Sequence, residues 1–186
     1  MIANDLESLA GRLAEITVQI RAGRESVGCG IIWSSTGVIV TNAHVTRTNS
    51  PTIELADGRV FEGRVRWRHP RRDLAAVVVG ATGLPTPIVA DLRRLRPGEI
   101  AVALGHPLGL ANGLALGIVH TVETTTGRNQ WLRADIRLAP GNSGGPLANA
   151  AGELLGINTL IAGGLAYAIP ATAVQRYLDE IGARAA

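Results

Sequence analysis

The chain has 186 residues, enough for one domain of ordinary size or two very small ones. It has no apolar run near the ~18–20 residues of a membrane span, which excludes a spanning helix. A lone cysteine, Cys29, excludes an intramolecular disulfide and is expected to be a small core residue. The net charge of +3 rests on 18 basic residues, all arginine, and aromatics make up only 3%, too few for a base-stacking platform, so nucleic acid is not the expected partner.

Residues 4–15 predict a short helix. Asn4 and Glu7 have capping-box spacing, and Leu6, Leu9, Leu13 and Ile16 recur at helical intervals. Val18 and Ile20 begin an alternating strand. Short strands then follow at roughly 29–33, 37–41, 52–56, 59–68, 74–79, 100–104, 115–122, 131–136, 153–160 and 165–169. Asp57-Gly58 and Asn149-Ala150-Ala151-Gly152 are the hairpin signals. Many short strands at fairly regular spacing suggest an all-β barrel or sandwich, not βαβ units. A helix over about 171–181 closes the chain, with Pro170 at its start, Val174, Tyr177, Leu178 and Ile181 as its apolar stripe, and Gly182 at its stop. The Gly- and Pro-rich stretch 80–98 is the one seam at which two halves could join.

The densest basic stretch, Arg64-Val65-Arg66-Trp67-Arg68-His69-Pro70-Arg71-Arg72, alternates with period two. Arg64, Arg66 and Arg68 would share one strand face, with Val65 and Trp67 turned inward. A solvated outer face is the simpler reading; an acidic partner or polyanion is the alternative. Trp33, Trp67 and Trp131 are expected to be strand packing. His69, His106 and His120 show no metal-ligand spacing with carboxylates or Cys29, so no metal and no cofactor are assigned.

Three stretches carry chemistry. Thr41-Asn42-Ala43-His44-Val45, Asp73-Leu74-Ala75-Ala76-Val77 and Gly141-Asn142-Ser143-Gly144-Gly145-Pro146 put a His, an Asp and a Ser in chain order, each at the edge of an apolar run. A serine hydroxyl attacks carbonyls only when an imidazole takes its proton and a third group fixes that imidazole's tautomer. Glycines let backbone N–H groups converge where an oxyanion develops, contributing roughly 3–4 kcal/mol per donor. Each stretch alone has an ordinary explanation: a packed or surface histidine, a turn aspartate, a glycine loop. Their joint occurrence does not.

The order is that of chymotrypsin-type proteases, and the flanks narrow it. Gly37 through Val45 resembles the His segment of the HtrA (Deg) proteases. Arg72 through Val77 resembles their Asp strand. Ala134-Asp135 through Leu147, Leu155 through Thr159 and Leu165 through Pro170 are similar to their Ser region. Gly105-His106-Pro107-Leu108-Gly109-Leu110 resembles the family's regulatory loop, where an asparagine more often stands in place of His106. The resemblance runs from about residue 9 to 181.

It implies an all-β fold, a double six-stranded β-barrel of chymotrypsin type with a short N-terminal helix and a C-terminal helix. Residues 1–186 would form a single protease domain with half-barrels at about 15–82 and 98–170. By position, Ser143 would be the nucleophile, His44 the general base and then acid, and Asp73 the group that orients His44. The N–H groups of Gly141 and Ser143 would form the oxyanion hole. Asn158, Thr159 and Leu160 would be the strand edge that pairs with substrate, and Ala166, Ala168 and Leu138 would line a pocket for medium aliphatic side chains. Arg137 is expected to point outward, because an unpaired buried guanidinium is costly.

Asn142 stands where trypsin-like zymogens carry an aspartate, so activation by N-terminal trimming is not expected. Ordering of the loops 105–113, 125–131 and 137–142 by ligands or partners would take its place. The implied function is a serine endopeptidase acting on unfolded or extended polypeptides; the alternative is a catalytically silent protease fold that binds partners, polyanions among them, through the arginine strand. The sequence shows no PDZ segment. With no aromatic before Trp33, the family's trimer is not expected, while a homo-oligomer stays open. Absence of a signal peptide predicts a cytoplasmic place, or an extracytoplasmic one if the chain is a trimmed form.

Overall fold

The structure, a computed structural model, describes residues 2–23, 25–106, 112–122 and 131–182. Helix α1 (Ile2–Ile16) begins two residues before the expected cap, so Asn4 lies inside its first turn. Leu9, Leu13 and Ile16 form the buried stripe of α1, and full burial of each leucine contributes about 1.5–3 kcal/mol. The Thr17 hydroxyl donates to the Leu13 carbonyl at 2.6 Å, satisfying an acceptor that the end of the helix leaves open.

The first half of the molecule is an antiparallel sheet of β1 (Thr17–Ala22), β2 (Glu25–Ile32), β3 (Val38–Thr41), β4 (Thr52–Leu55), β5 (Val60–Glu62), β6 (Arg64–His69) and β7 (Leu74–Val78). Its strand order is β5-β4-β1-β2-β3-β7-β6. The expected double six-stranded barrel is therefore wrong here: this sheet has seven strands and is open and curled. The reason lies at Gly63, inside the run 59–68 that the sequence presents as one strand. A Cβ on Gly63 would lie 2.7 Å from Val77 Cγ1 and 2.9 Å from Ile53 Cγ1, and the Gly63 N–H donates to Pro51 O at 2.8 Å. The run breaks there, and its two parts pair with opposite edges of the sheet, β5 with β4 and β6 with β7. The edges meet through the chain at Gly63, not through a ladder.

The second half is a closed barrel. Its strands are β8 (Ile100–Gly105), β9 (Gly113–Val122), β10 (Leu132–Asp135), β11 (Pro146–Ala148), β12 (Leu154–Ala162) and β13 (Leu165–Pro170), ordered β10-β13-β12-β11-β8-β9. Strand β11 has no sequence signal. It is three residues long, opens on a proline, and exists because β8 and β12 flank it. Without β11 the barrel would not close.

Between the halves, residues 79–99 hold only a bridge, Val89 to Leu154, with Leu154 N–H donating to Ile88 O and Ala90 N–H to Leu154 O. Helix α2 (Ala171–Glu180) starts after Pro170, and Gly182, at φ 65°, follows its end. Each half has its own core, and a third cluster joins them. Ile31, Val40, Leu74 and Ala76 of the sheet meet Leu154, Ile157 and Ile169 of the barrel beneath Val174, Tyr177 and Leu178 of α2, with Trp33, Trp67 and Trp131 packed against them. A fourth cluster seats α1 on Val102, Leu104 and Ala148. Among the described residues no helix is long and apolar enough to cross a membrane.

Candidate functional site

The sheet supplies two of the three expected groups. His44 lies in a single 3-10 turn, Ala43–Val45, directly after β3. Asp73 ends the turn between β6 and β7, where its N–H donates to Pro70 O and its φ of +50° puts it in the left-handed region, rare for a residue with a side chain. The two turns interlock. One carboxylate oxygen of Asp73, Oδ2, is 2.7 Å from His44 Nδ1, and the other, Oδ1, accepts the His44 backbone N–H at 3.0 Å. A carboxylate can only accept, so the Nδ1 facing it must carry the proton, which leaves Nε2 as the basic nitrogen.

The Asp73 turn is braced from α2. The Arg72 guanidinium reaches both carboxylate oxygens of Glu180, at 2.6 and 3.3 Å, and His69 meets the Tyr177 ring edge-on at 6.0 Å. The Arg72 guanidinium holds Glu180 below the usual carboxylate range, although that carboxylate is exposed and the pair is open to screening by salt.

The barrel supplies the serine, on the loop just before β11. In that loop Asn142 N–H donates to Ala139 O, Gly144 N–H to Asn158 O, and Gly145 N–H to Asn142 O. The N–H groups of Gly141 and Ser143 have no acceptor among the described residues. Asn142 is buried, and its Nδ2 donates to the same Ala139 carbonyl at 3.0 Å, a bond that a carboxylate at this position could not make. The Ser143 hydroxyl donates to Thr159 O at 3.3 Å, and no hydrogen bond joins it to His44 among the described residues.

Cys29 braces this loop from behind, a role the sequence does not signal. Its thiol donates to Gly141 O at 3.1 Å, its N–H donates to Ser143 O at 2.8 Å, and the His106 N–H also reaches Gly141 O. Burial pushes the thiol up to about 12, against a small lowering by the His106 backbone. Burial also lowers the His106 imidazole; nearby Glu54 acts to raise it and Arg21 to lower it. The remainder of the expected regulatory loop, 107–111, lies outside the described residues, as do 123–130.

The family model described as "Trypsin-like peptidase domain" matches residues 28–157, which carry His44, Asp73 and Ser143. The chain belongs to the trypsin-like peptidase family. This trypsin-like peptidase domain is HtrA/Deg-like. It is 39% identical over 168 residues to HhoB of Synechocystis sp., covering 84% of this chain and 40% of that protein. It is 36% identical over 202 residues to the serine protease HTRA3 of Mus musculus, covering 96% of this chain and 44% of that one. Among solved structures, the HtrA-type protease AlgWS227A with tripeptide matches at 28% identity and a TM-score of 0.85, over 94% of this chain and 62% of that one. The chain thus spans about two fifths of the curated relatives it matches.

The other expected site residues of the peptidase domain fall in two groups. Asn158 is buried and its backbone is fully engaged, N–H to Gly145 O and C=O from Gly144 N–H, while its Nδ2 donates to Pro146 O. The open part of the β12 edge therefore starts at Thr159. Beyond Asn158, where β11 has ended, β12 is paired only with β13, and Leu160 and Ile161 are exposed. Ala166 and Ala168 are buried in the barrel core, Leu138 packs against that core, and Arg137 is exposed. Arg64 and Arg66 face outward, as the alternation predicts. Arg68 is more than a solvated charge: its guanidinium donates to Thr46 Oγ1 and Thr46 O, both at 2.8 Å, clamping the chain just after His44. Among the described residues no group of three His, Cys, Asp or Glu side chains could hold a metal ion.

Proposed function

We propose that this domain is a serine endopeptidase that cleaves unfolded or extended polypeptides, with His44, Asp73 and Ser143 as its triad. The observation that carries this reading is the two-point seating of His44 on Asp73, 2.7 Å at Nδ1 and 3.0 Å at the backbone N–H. That seating fixes the tautomer with Nε2 free. In the reaction, Ser143 Oγ gives its proton to His44 Nε2 as the Oγ–C bond to the scissile carbonyl forms. The N–H groups of Gly141 and Ser143, which have no acceptor among the described residues, are the donors assigned to the oxyanion. His44 then returns the proton to the leaving amine as the C–N bond breaks, and water releases the acyl group from Ser143 by the same steps. In the structure the Ser143 hydroxyl rests on Thr159 O. It must turn toward His44 when substrate arrives, the tightening expected of catalytic contacts on binding.

Extended segments suit the open edge of β12 from Thr159 onward, because an added strand can use main-chain hydrogen bonds that a folded protein keeps for itself. Leu160 and Ile161 give that edge an apolar surface. The preference for cleavage after Val, Ala, Leu or Ile comes from the resemblance alone, because Ala166 and Ala168 are buried in the barrel core and offer no open wall. The exposed Arg137 gives no reason to expect acidic residues there.

The test is digestion of a reduced, unfolded protein and of its folded form, with cut sites mapped by mass spectrometry. The reading expects cuts after aliphatic residues in the unfolded form only, and none with Ser143→Ala. Equal cutting of both forms would overturn the substrate class. Cutting that survives Ser143→Ala would overturn the mechanism.

A further inference from the structure

Asn42 stands between β3 and the His44 turn, fully buried. An asparagine at a helix N-cap ordinarily turns its side-chain oxygen to the N–H groups of the first turn. Asn42 makes no such bond. Its Nδ2 donates instead to Asp73 O and to Thr159 Oγ1, each at 3.0 Å. The orientation of the amide follows from its partners. Asp73 O can only accept, and Thr159 Oγ1 already donates to Ile157 O at 3.0 Å, so both require a donor. The consequence is that Asn42 Oδ1 is buried with no hydrogen-bond partner among the described residues, a costly arrangement that a capping geometry would relieve.

One bond stays within the sheet and the other crosses to the barrel. Asp73 O belongs to the strained residue whose carboxylate seats His44, and its anchoring by Asn42 makes the interlock reciprocal: side chain of 42 to backbone of 73, side chain of 73 to backbone of 44. Thr159 belongs to the barrel, and its carbonyl is the acceptor on which the Ser143 hydroxyl rests. One amide group thus ties the turns of His44 and Asp73 to the strand that positions Ser143. Thr159, expected from the sequence to touch substrate, has its hydroxyl turned inward to this link.

We propose that Asn42, acting through Thr159, is a positioning residue that sets the spacing of His44 and Ser143 across the two halves of the domain. The inference rests on the endopeptidase reading given above. It touches neither substrate nor reacting atoms, so its signature is in the rate of attack and not in substrate affinity.

The experiment compares Asn42→Ala, Thr159→Val and Thr159→Ser in steady-state peptide hydrolysis and in the rate of covalent labelling of Ser143 by a fluorophosphonate. Thr159→Val keeps shape and carbonyl but deletes the hydroxyl; Thr159→Ser keeps the hydroxyl. Thr159→Val removes both the bond from Asn42 Nδ2 and the hydroxyl's own donation to Ile157 O. That loss predicts a fall of about tenfold or more in kcat and in labelling rate, with KM within about twofold and a return to near wild type in Thr159→Ser. Asn42→Ala should lose more, and adding Thr159→Val to it should cost clearly less than Thr159→Val costs in the wild type, because the shared bond is already gone and only the bond to Ile157 O remains to be lost. If Asn42→Ala does not fold, the Thr159 pair carries the test alone. Wild-type labelling in Thr159→Val, or losses that multiply in the double variant, would overturn the link while leaving the endopeptidase reading intact. Failure of the wild type itself to label would overturn both.

Discussion

The two halves of the domain hold their reactive groups by different means. The sheet fixes His44 and Asp73 through side chains that reach into backbone: the Asp73 carboxylate on His44 N–H, the Asn42 amide on Asp73 O, the Arg68 guanidinium on Thr46 O. The Ser143 loop is held mainly by main-chain bonds around its glycines, to Asn158 of the barrel and across to Cys29 of the sheet, with the side chains of Cys29, Asn142 and Asn158 in support. Side-chain fastening can be loosened one bond at a time. Main-chain fastening in a space with no room for a Cβ cannot, so substitutions on the two sides should fail in different ways.

The largest effects test whether the two sides nonetheless work as one unit. Ser143→Ala should reduce peptide hydrolysis by at least about 10⁴-fold, with the thermal transition unchanged, because triad members act together. Asp73→Asn, from the opposite half, should cost roughly as much, about 10⁴-fold, by admitting the wrong His44 tautomer. Residual activity above a tenth of wild type in either would remove that residue from the mechanism.

Gly144→Ala sharpens the contrast. At φ +84°, a Cβ on Gly144 would run into Cys29 O and Thr41 Oγ1, so backbone must move. The expected outcome is loss of the cooperative thermal transition or of all labelling at Ser143, not a graded decline. A variant with wild-type melting and partial activity would show that the loop yields as side chains do.

Cys29 gives a smaller, pH-dependent effect. Its folded-state value of about 12 lies above the ordinary 9.0, so the fold favours the neutral thiol. That contribution is fully present below pH 9 and is lost as pH rises from there toward 12. Chemical denaturation between pH 8 and 11 should show a loss of stability that is absent in Cys29→Ser, and the native thiol should react with a disulfide reagent only as fast as the protein opens. Fast native reaction would place the thiol outside the loop's support.

His106 gives the smallest effect, with the opposite sign. Burial lowers its value below 6.5, so the unfolded chain binds the proton more readily, and the stability contributed at neutral pH is lost as pH falls through 6.5 and below. His106→Asn should flatten that acid-side decline in a denaturation series; an unchanged decline would assign it to other groups.

Most strands are legible in the sequence because alternation and turn residues coincide with them, as at Asp57-Gly58, where Gly58 takes φ 85° and Asp57 Oδ1 accepts the Arg59 N–H. The failures have physical causes. The break at Gly63 depends on Ile53 and Val77, residues distant in sequence, so the run 59–68 reads as one strand and the sheet as six-stranded. Strand β11 is imposed by its neighbours. In the site, His44, Asp73 and Ser143 are legible from motif order, but nothing in the sequence marks Asn42, and Cys29 reads as a small core residue, because their partners at 73, 159 and 141 are far along the chain. Arg68 hides in an alternating charge pattern that explains Arg64 and Arg66 without it.

The central claim is that His44, seated on Asp73, can take the proton of Ser143 across the junction of the two halves. Fluorophosphonate labelling of the intact protein, with the modified residue located by mass spectrometry, tests it most directly. Stoichiometric modification at Ser143 is expected in the wild type, with near-complete loss in His44→Ala. No modification of the folded wild type, or equal modification in His44→Ala, would contradict it.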